Sequence, residues 1–98
     1  MSDEKVLCAA IWFNDGQHYY HQPTNIPSGF VISGWRHGSI LMVAKAMNCK
    51  ISPNDQVQGF ITSKNRFLNR KEAREFVLST GQLQTTEFGD ELYSEDLY

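Results

Sequence analysis

Val6 to Phe13 (VLCAAIWF) is an unbroken apolar run of strand length. Asn14-Asp15-Gly16 follows it, and Asp-Gly beside an apolar strand signals a hairpin, so Gln17 to His21 is expected to return as the partner strand. Gln22 to Ser28 carries Pro23, Asn25 and Pro27 and reads as a loop. Phe30 to Ser33 resumes as a short strand that Gly34 breaks. From Ser39 the period changes: Ile40, Val43, Ala44 and Met47 fall on one helical face. That helix starts at His37 or Ser39 and ends at Asn48-Cys49.

The second half repeats the plan. Pro53-Asn54-Asp55 is a loop, Val57 to Thr62 a strand, Ser63-Lys64-Asn65 a turn and Arg66 to Leu68 a short partner strand. Asn69 with Glu72 three residues on has the spacing of a capping box, with Asn in place of Ser or Thr. Ala73, Phe76 and Val77 form the buried stripe of this second helix, and Gly81 stands where a left-handed C-terminal cap belongs. Leu83 to Tyr98 shows no period, and its Leu92, Tyr93, Leu97 and Tyr98 suit anchors of a strap. The expected fold class is therefore α+β: a small antiparallel sheet with two helices on one face. It is built from two strand-turn-strand-helix units plus a C-terminal strap. One domain of 98 residues divides into a first hairpin and helix (1–48), a second hairpin and helix (57–81) and an acidic tail (83–98).

Composition changes this picture mainly through charge. The net charge of −2 argues against a partner that is a nucleic-acid polymer. Its distribution is uneven. Arg36 to Arg74 holds eight basic residues against Asp55 and Glu72, whereas Leu83 to Tyr98 holds five acids and no base. A basic middle suits one small anion, with the acidic tail as a lid or intersubunit strap; a solvated basic face with a floppy tail is the plainer alternative. No apolar run approaches the roughly 20 residues that cross a bilayer, so no membrane partner is expected. Met1-Ser2-Asp3-Glu4 does not read as a signal peptide, and Cys8 and Cys49 are too few for a disulfide framework, which makes the cytoplasm the expected compartment.

Two stretches combine residue types that suit a phosphorylated, ring-bearing ligand. Gly34-Trp35-Arg36-His37 precedes a helix, whose start offers free N–H groups, and Arg adds a planar fork for phosphate. Gly59-Phe60-Ile61-Thr62 alternates so that Phe60 and Thr62 share a face, and Phe67, Asn69 and Arg70 follow. Phe60, Phe67 or Trp35 suits base stacking, Thr62, Asn69 and His37 suit hydroxyls, and Arg36 and Arg70 suit phosphates. The competing reading puts Trp35, Phe60 and Phe67 in the core and leaves His37 and Asn69 as caps. His18 and His21 would face opposite sides of a strand, so no metal site is expected. Ser39, Ser63 and Ser94 lie in no nucleophile elbow, Glu95-Asp96 lies in the tail, and Cys8 sits in an apolar strand, so no catalytic set or cofactor is expected.

Five motifs in order also carry a family resemblance over most of the chain. They are Arg36-His37, Gly59-Phe60-Ile61-Thr62, Phe67-Leu68-Asn69-Arg70-Lys71-Glu72-Ala73, Gly81-Gln82 and Leu92-Tyr93-Ser94-Glu95-Asp96-Leu97. This order resembles phage anti-Thoeris proteins of the first type. The resemblance implies a viral sponge that binds a cyclic ADP-ribose isomer made by a host TIR-domain enzyme and holds it intact. It further implies a homo-oligomer, dimer or hexamer, with further sites for cyclic oligonucleotides in some members. The chain departs from that pattern between Tyr20 and Gly34, where Gln22 to Ser33 looks inserted, and the segment after the first helix looks short. An enzyme that degrades the same signal and a protein-binding inhibitor of a host defence enzyme are the alternatives, the latter through Tyr19, Tyr20 and Tyr98.

Overall fold

The computed structural model describes residues 3–87 and 89–98. Four strands form one antiparallel sheet in the order β2-β1-β3-β4. They are β1 (Val6–Phe13), β2 (Phe30–Gly34), β3 (Gln56–Thr62) and β4 (Phe67–Asn69). The main helices are α1 (His37–Ala46) and α2 (Arg70–Ser79), and a single turn, α3 (Ser94–Leu97), lies in the tail.

Both helices pack on one face of the sheet. Ala9, Ile11 and Phe13 alternate onto that face from β1 and meet Phe60, Leu68, Ile40, Ala44, Ala73, Val77 and the tail residue Leu92 in one cluster. The opposite face carries a smaller cluster of Ala10, Phe67 and Ile26, flanked by Trp12, Val31, Val57 and Ile61. Among the described residues no helix covers this second face; the loop across residues 14–29 does, through Ile26. The arrangement is the expected α+β plan with both helices on one side.

One strand assignment is corrected. Gln17 to His21 is not a strand; Phe30–Gly34 takes the place beside β1, with Phe13 opposite Phe30 and Ala9 opposite Gly34. Asp15-Gly16 does turn the chain, and Gly16 has φ +80°. Its acceptors are spent locally, however: Asn14 Oδ1 receives the Gly16 N–H and Asp15 Oδ1 the Gln17 N–H. Pairing then follows burial rather than turn chemistry. Phe30 and Ile32 supply apolar side chains to the helix-side core and Val31 to the other face, which Gln17-His18-Tyr19-Tyr20-His21 cannot do.

The loop is fastened at both ends. Trp12 Nε1 donates to Ser28 O at 2.8 Å, and Gly29 N donates to Gln17 O at 2.7 Å. Asn25 bonds both backbone groups of Phe67, accepting from its N–H at 2.8 Å and donating to its carbonyl. An edge strand otherwise offers those groups to any passing chain. Here a side-chain amide occupies them.

α2 begins as its sequence predicts. The Asn69 side chain accepts from Glu72 N at 2.9 Å, and Glu72 Oε1 accepts from Asn69 N at 2.9 Å. Gly81 has the expected left-handed φ of +79°. α1 is capped differently, because its N-cap is Arg36, whose guanidinium cannot accept a hydrogen bond. The Ser39 hydroxyl compensates, accepting from Arg36 N at 3.2 Å and donating to Arg36 O at 2.7 Å.

Candidate functional site

The tail and the two helix starts meet on the helix side of the sheet. Arg36 reaches Ser94 Oγ at 3.0 Å and Tyr98 O at 2.6 Å, with its guanidinium 5.0 Å from the Tyr98 ring centre and 3.9 Å from the Glu95 carboxylate. Trp35 is largely exposed and stacks on Tyr98, the ring centres 4.0 Å apart. The Tyr98 hydroxyl accepts from Ala9 N at 3.2 Å and donates to Trp35 O. The C-terminal strap therefore closes on the start of α1, and its anchors include Leu92, which is fully buried.

Arg70 extends this assembly to the start of α2. Its guanidinium donates to Leu92 O at 3.1 Å and to Gln58 Oε1 at 2.6 Å, and lies 4.3 Å from the Tyr93 ring centre. It also approaches His37 Nδ1 at 3.3 Å. His37 is buried, and its Nε2 lies 2.8 Å from Gly59 O. A carbonyl only accepts, so Nε2 carries the proton, and Nδ1 is left to accept from Arg70. Burial holds His37 below its ordinary value of 6.5, the neighbouring Arg70 charge acting in the same direction against the Gly59 bond. This imidazole is a neutral connector between sheet and helix.

The residues expected from the sequence thus separate into groups. Trp35, Arg36, His37 and Arg70 gather around the tail. Phe60 lies in the core beneath them with no exposed surface, its ring edge-on to His37 at 5.3 Å. Thr62 is buried at the far end of β3, where its hydroxyl donates to Glu4 and accepts from Lys64 N and Arg66 N, both at 3.2 Å. Arg66 holds the same carboxylate at 2.8 and 3.0 Å, and these bonds from Arg66 keep Glu4 below its usual range. Phe67 is buried on the opposite face beside Trp12. Asn69 caps α2.

A groove of about 390 Å³ opens beside Arg70. β4 pairs only with Gly59, Phe60 and Ile61, so Gln56 to Gln58 extend past its end. There they face Asn69, Arg70 and Lys71 across the groove, with Glu91 on its wall. Two guanidinium or ammonium groups and three side-chain amides suit a phosphorylated, hydroxyl-rich molecule, and Glu91 suits one of its hydroxyls. Gln58, Lys71 and Glu91 are not among the ligand residues expected from the sequence. Gln58 had a usable signal, since it shares a face with Phe60 and Thr62 by alternation. Lys71 did too, lying beside Arg70 at the helix start.

Among the described residues, no group of three or more His, Cys, Asp or Glu side chains is placed to hold a metal ion. Burial pushes the Cys8 thiol up, away from thiolate chemistry. No helix among the described residues is long and apolar enough to cross a membrane.

Comparison with the curated proteins and with the solved structures finds no match. A family model described as "Phage T4 y16D protein" matches residues 5–98. The match takes in both helix starts, the groove and the tail, and on its extent the chain belongs to the phage T4 y16D protein family.

Proposed function

We propose that this protein binds and sequesters a small nucleotide-derived signal without cleaving it. The signal is a cyclic ADP-ribose isomer of the kind made by host TIR-domain enzymes, and its capture blocks host TIR-dependent defence in the cytoplasm of an infected bacterium. Membership of a phage family supports the setting, and the five ordered motifs that resemble anti-Thoeris proteins supply the ligand class. The observation that carries the reading is the groove beside Arg70: a cation pair at a helix start, facing amides, in a volume near the lower end of the roughly 300–1,000 Å³ of small-molecule sites. The neutral, doubly engaged His37 supports holding over cleaving, because it has no nitrogen left for proton transfer.

Self-association belongs to the same reading. Leu41, Met42, Val43 and Met47 are all exposed on or just after α1, an apolar surface that a second copy would cover.

The test is direct. Protein is incubated with the product of a TIR-domain enzyme, freed of unbound small molecules and denatured, and the released material is analysed by mass spectrometry. Intact cyclic ADP-ribose isomer is expected. A degraded product would make the protein an enzyme, and release of nothing would remove the signal as its ligand.

A further inference from the structure

The groove beside Arg70 has a neighbour of opposite character. A second cavity of about 300 Å³ lies on the helix-free side of the sheet and shares Val57 and Asn69 with the first. Its other walls include Trp12, Ile26, Pro27 and Phe67, with Glu72 at one side. The rings of Trp12 and Phe67 are 6.1 Å apart and tilted by 56°, so they do not stack on each other. The Trp12 indole is fixed by its bond to Ser28 O, and Asn25 is spent on the backbone of Phe67. What remains is a slot with apolar walls, one carboxylate and the Asn69 side-chain amide. Glu72 uses Oε1 to cap α2, and a carboxylate has acceptor capacity beyond one such bond.

The two cavities together are amphipathic. Arg70 and Lys71 favour phosphate in the groove, where Lys71 Nζ also lies 3.8 Å from Asp90 and Glu91 stands on the wall, whereas the one charged residue lining the slot, Glu72, repels it. A flat heterocycle is favoured against Trp12 and Pro27, and most strongly if it presents an N–H donor to Glu72. We propose that the slot is a base-binding subsite for an amino-bearing purine, whose phosphates lie in the adjoining groove. This rests on the function proposed above and adds the orientation of the ligand and the origin of its base preference. Ile26 and Pro27 come from the segment Gln22 to Ser33, so the part of the chain that departs from the anti-Thoeris pattern builds the wall of the subsite.

The experiment compares a cyclic ADP-ribose isomer with its analogue that carries hydrogen in place of the 6-amino group by calorimetry, on the full chain and on Glu72→Gln. Gln also serves in a capping box, so this variant keeps α2 capped. The full chain is expected to bind the amino form at least about tenfold more tightly, since loss of a donor to a charged acceptor is worth that much. Glu72→Gln is expected to bring the two affinities within about twofold, because an amide both donates and accepts. In a Trp35→Phe protein the remaining indole is Trp12, and its fluorescence is expected to change on binding. Equal affinities in the full chain, discrimination that survives Glu72→Gln, or an unchanged Trp12 emission on binding would each overturn the base subsite while leaving sequestration standing. Failure to bind either form overturns both.

Discussion

The two strand-strand-helix units share a plan and differ in what completes them. In the second, β3 and β4 are joined by a short turn and α2 is capped by the residues that begin it, Asn69 and Glu72. In the first, the connection runs over residues 14–29, and the start of α1 is held by residues about sixty positions away in the tail. Local encoding fixes the second unit. In the first, distant partners in the tail add to the local Ser39 cap. The same contrast governs chemistry, because the tail that steadies the first unit also holds the Arg70 side chain of the second.

The contrast can be broken most severely at Gly59. A Cβ there would stand 2.1 Å from Leu68 O and 2.9 Å from Asn69 Cα, both of them backbone contacts that cannot yield cheaply. Gly59→Ala is expected to cost about 3 kcal/mol or more, read as a loss of folded protein in urea titration. Gly38, in the first turn of α1, has open space at the same position, and Gly38→Ala is expected to be harmless.

Next comes the strap. Leu92 is fully buried in the main core, so Leu92→Ala is expected to destabilise by about 2–4 kcal/mol and to free Arg36 and Arg70 from their tail partners. The check is a urea midpoint together with amide exchange at the starts of both helices. Exchange confined to the tail would mean that the strap is not shared between the units.

The caps give a smaller effect. Arg36→Ala removes partners in the tail and is expected to cost about 1.5 kcal/mol, whereas Asn69→Ala removes a local cap for about 1 kcal/mol. If tail anchoring is what distinguishes the units, truncation of the chain before Leu92 abolishes the first cost and leaves the second.

Acid gives a gentler and graded effect. His37 is held below 6.5 when folded, so the unfolded chain binds its proton first as the pH falls. Its contribution is complete above 6.5 and declines from there towards the folded value. Glu4, also depressed when folded, behaves likewise in a lower window that opens below its ordinary 4.5. Stability should therefore fall in two stages, and His37→Asn should flatten only the first, as measured by urea midpoints from about pH 7.5 to pH 3.

These particulars show why some parts of the molecule were legible in the sequence. Asn69, Glu72 and Gly81 act within a few residues of themselves, so their roles could be read from spacing. The stripe on α2 and the alternation in β1 and β3 follow from periods that burial enforces. Asp15-Gly16 misled for a physical reason: a turn signal reports a reversal of the chain, while strand pairing depends on which later segment can bury both faces. Phe30-Val31-Ile32 can, and Gln17 to His21 cannot. Phe60 was legible as face-sharing with Thr62, and its place in the core as one of two readings that the pattern left open. Periodicity places a residue on a face without saying what lies over it. The meeting of Arg36, Arg70 and the tail was not legible in the sequence, because no local pattern joins positions 36, 70 and 98.

The Tyr98 hydroxyl between Ala9 N and Trp35 O has a consequence for how quickly the chain folds. It closes a contact across 89 positions, and Gln82 bonds both backbone groups of Val6 across 76. Closures that long lose chain entropy before they return any binding energy, so the rate of folding is set by topology more than by the strength of any one contact. The β3–β4 turn and α2 can form early, on local contacts alone. The β1 strand draws its partners from both directions, and its contacts with the tail are expected to form late.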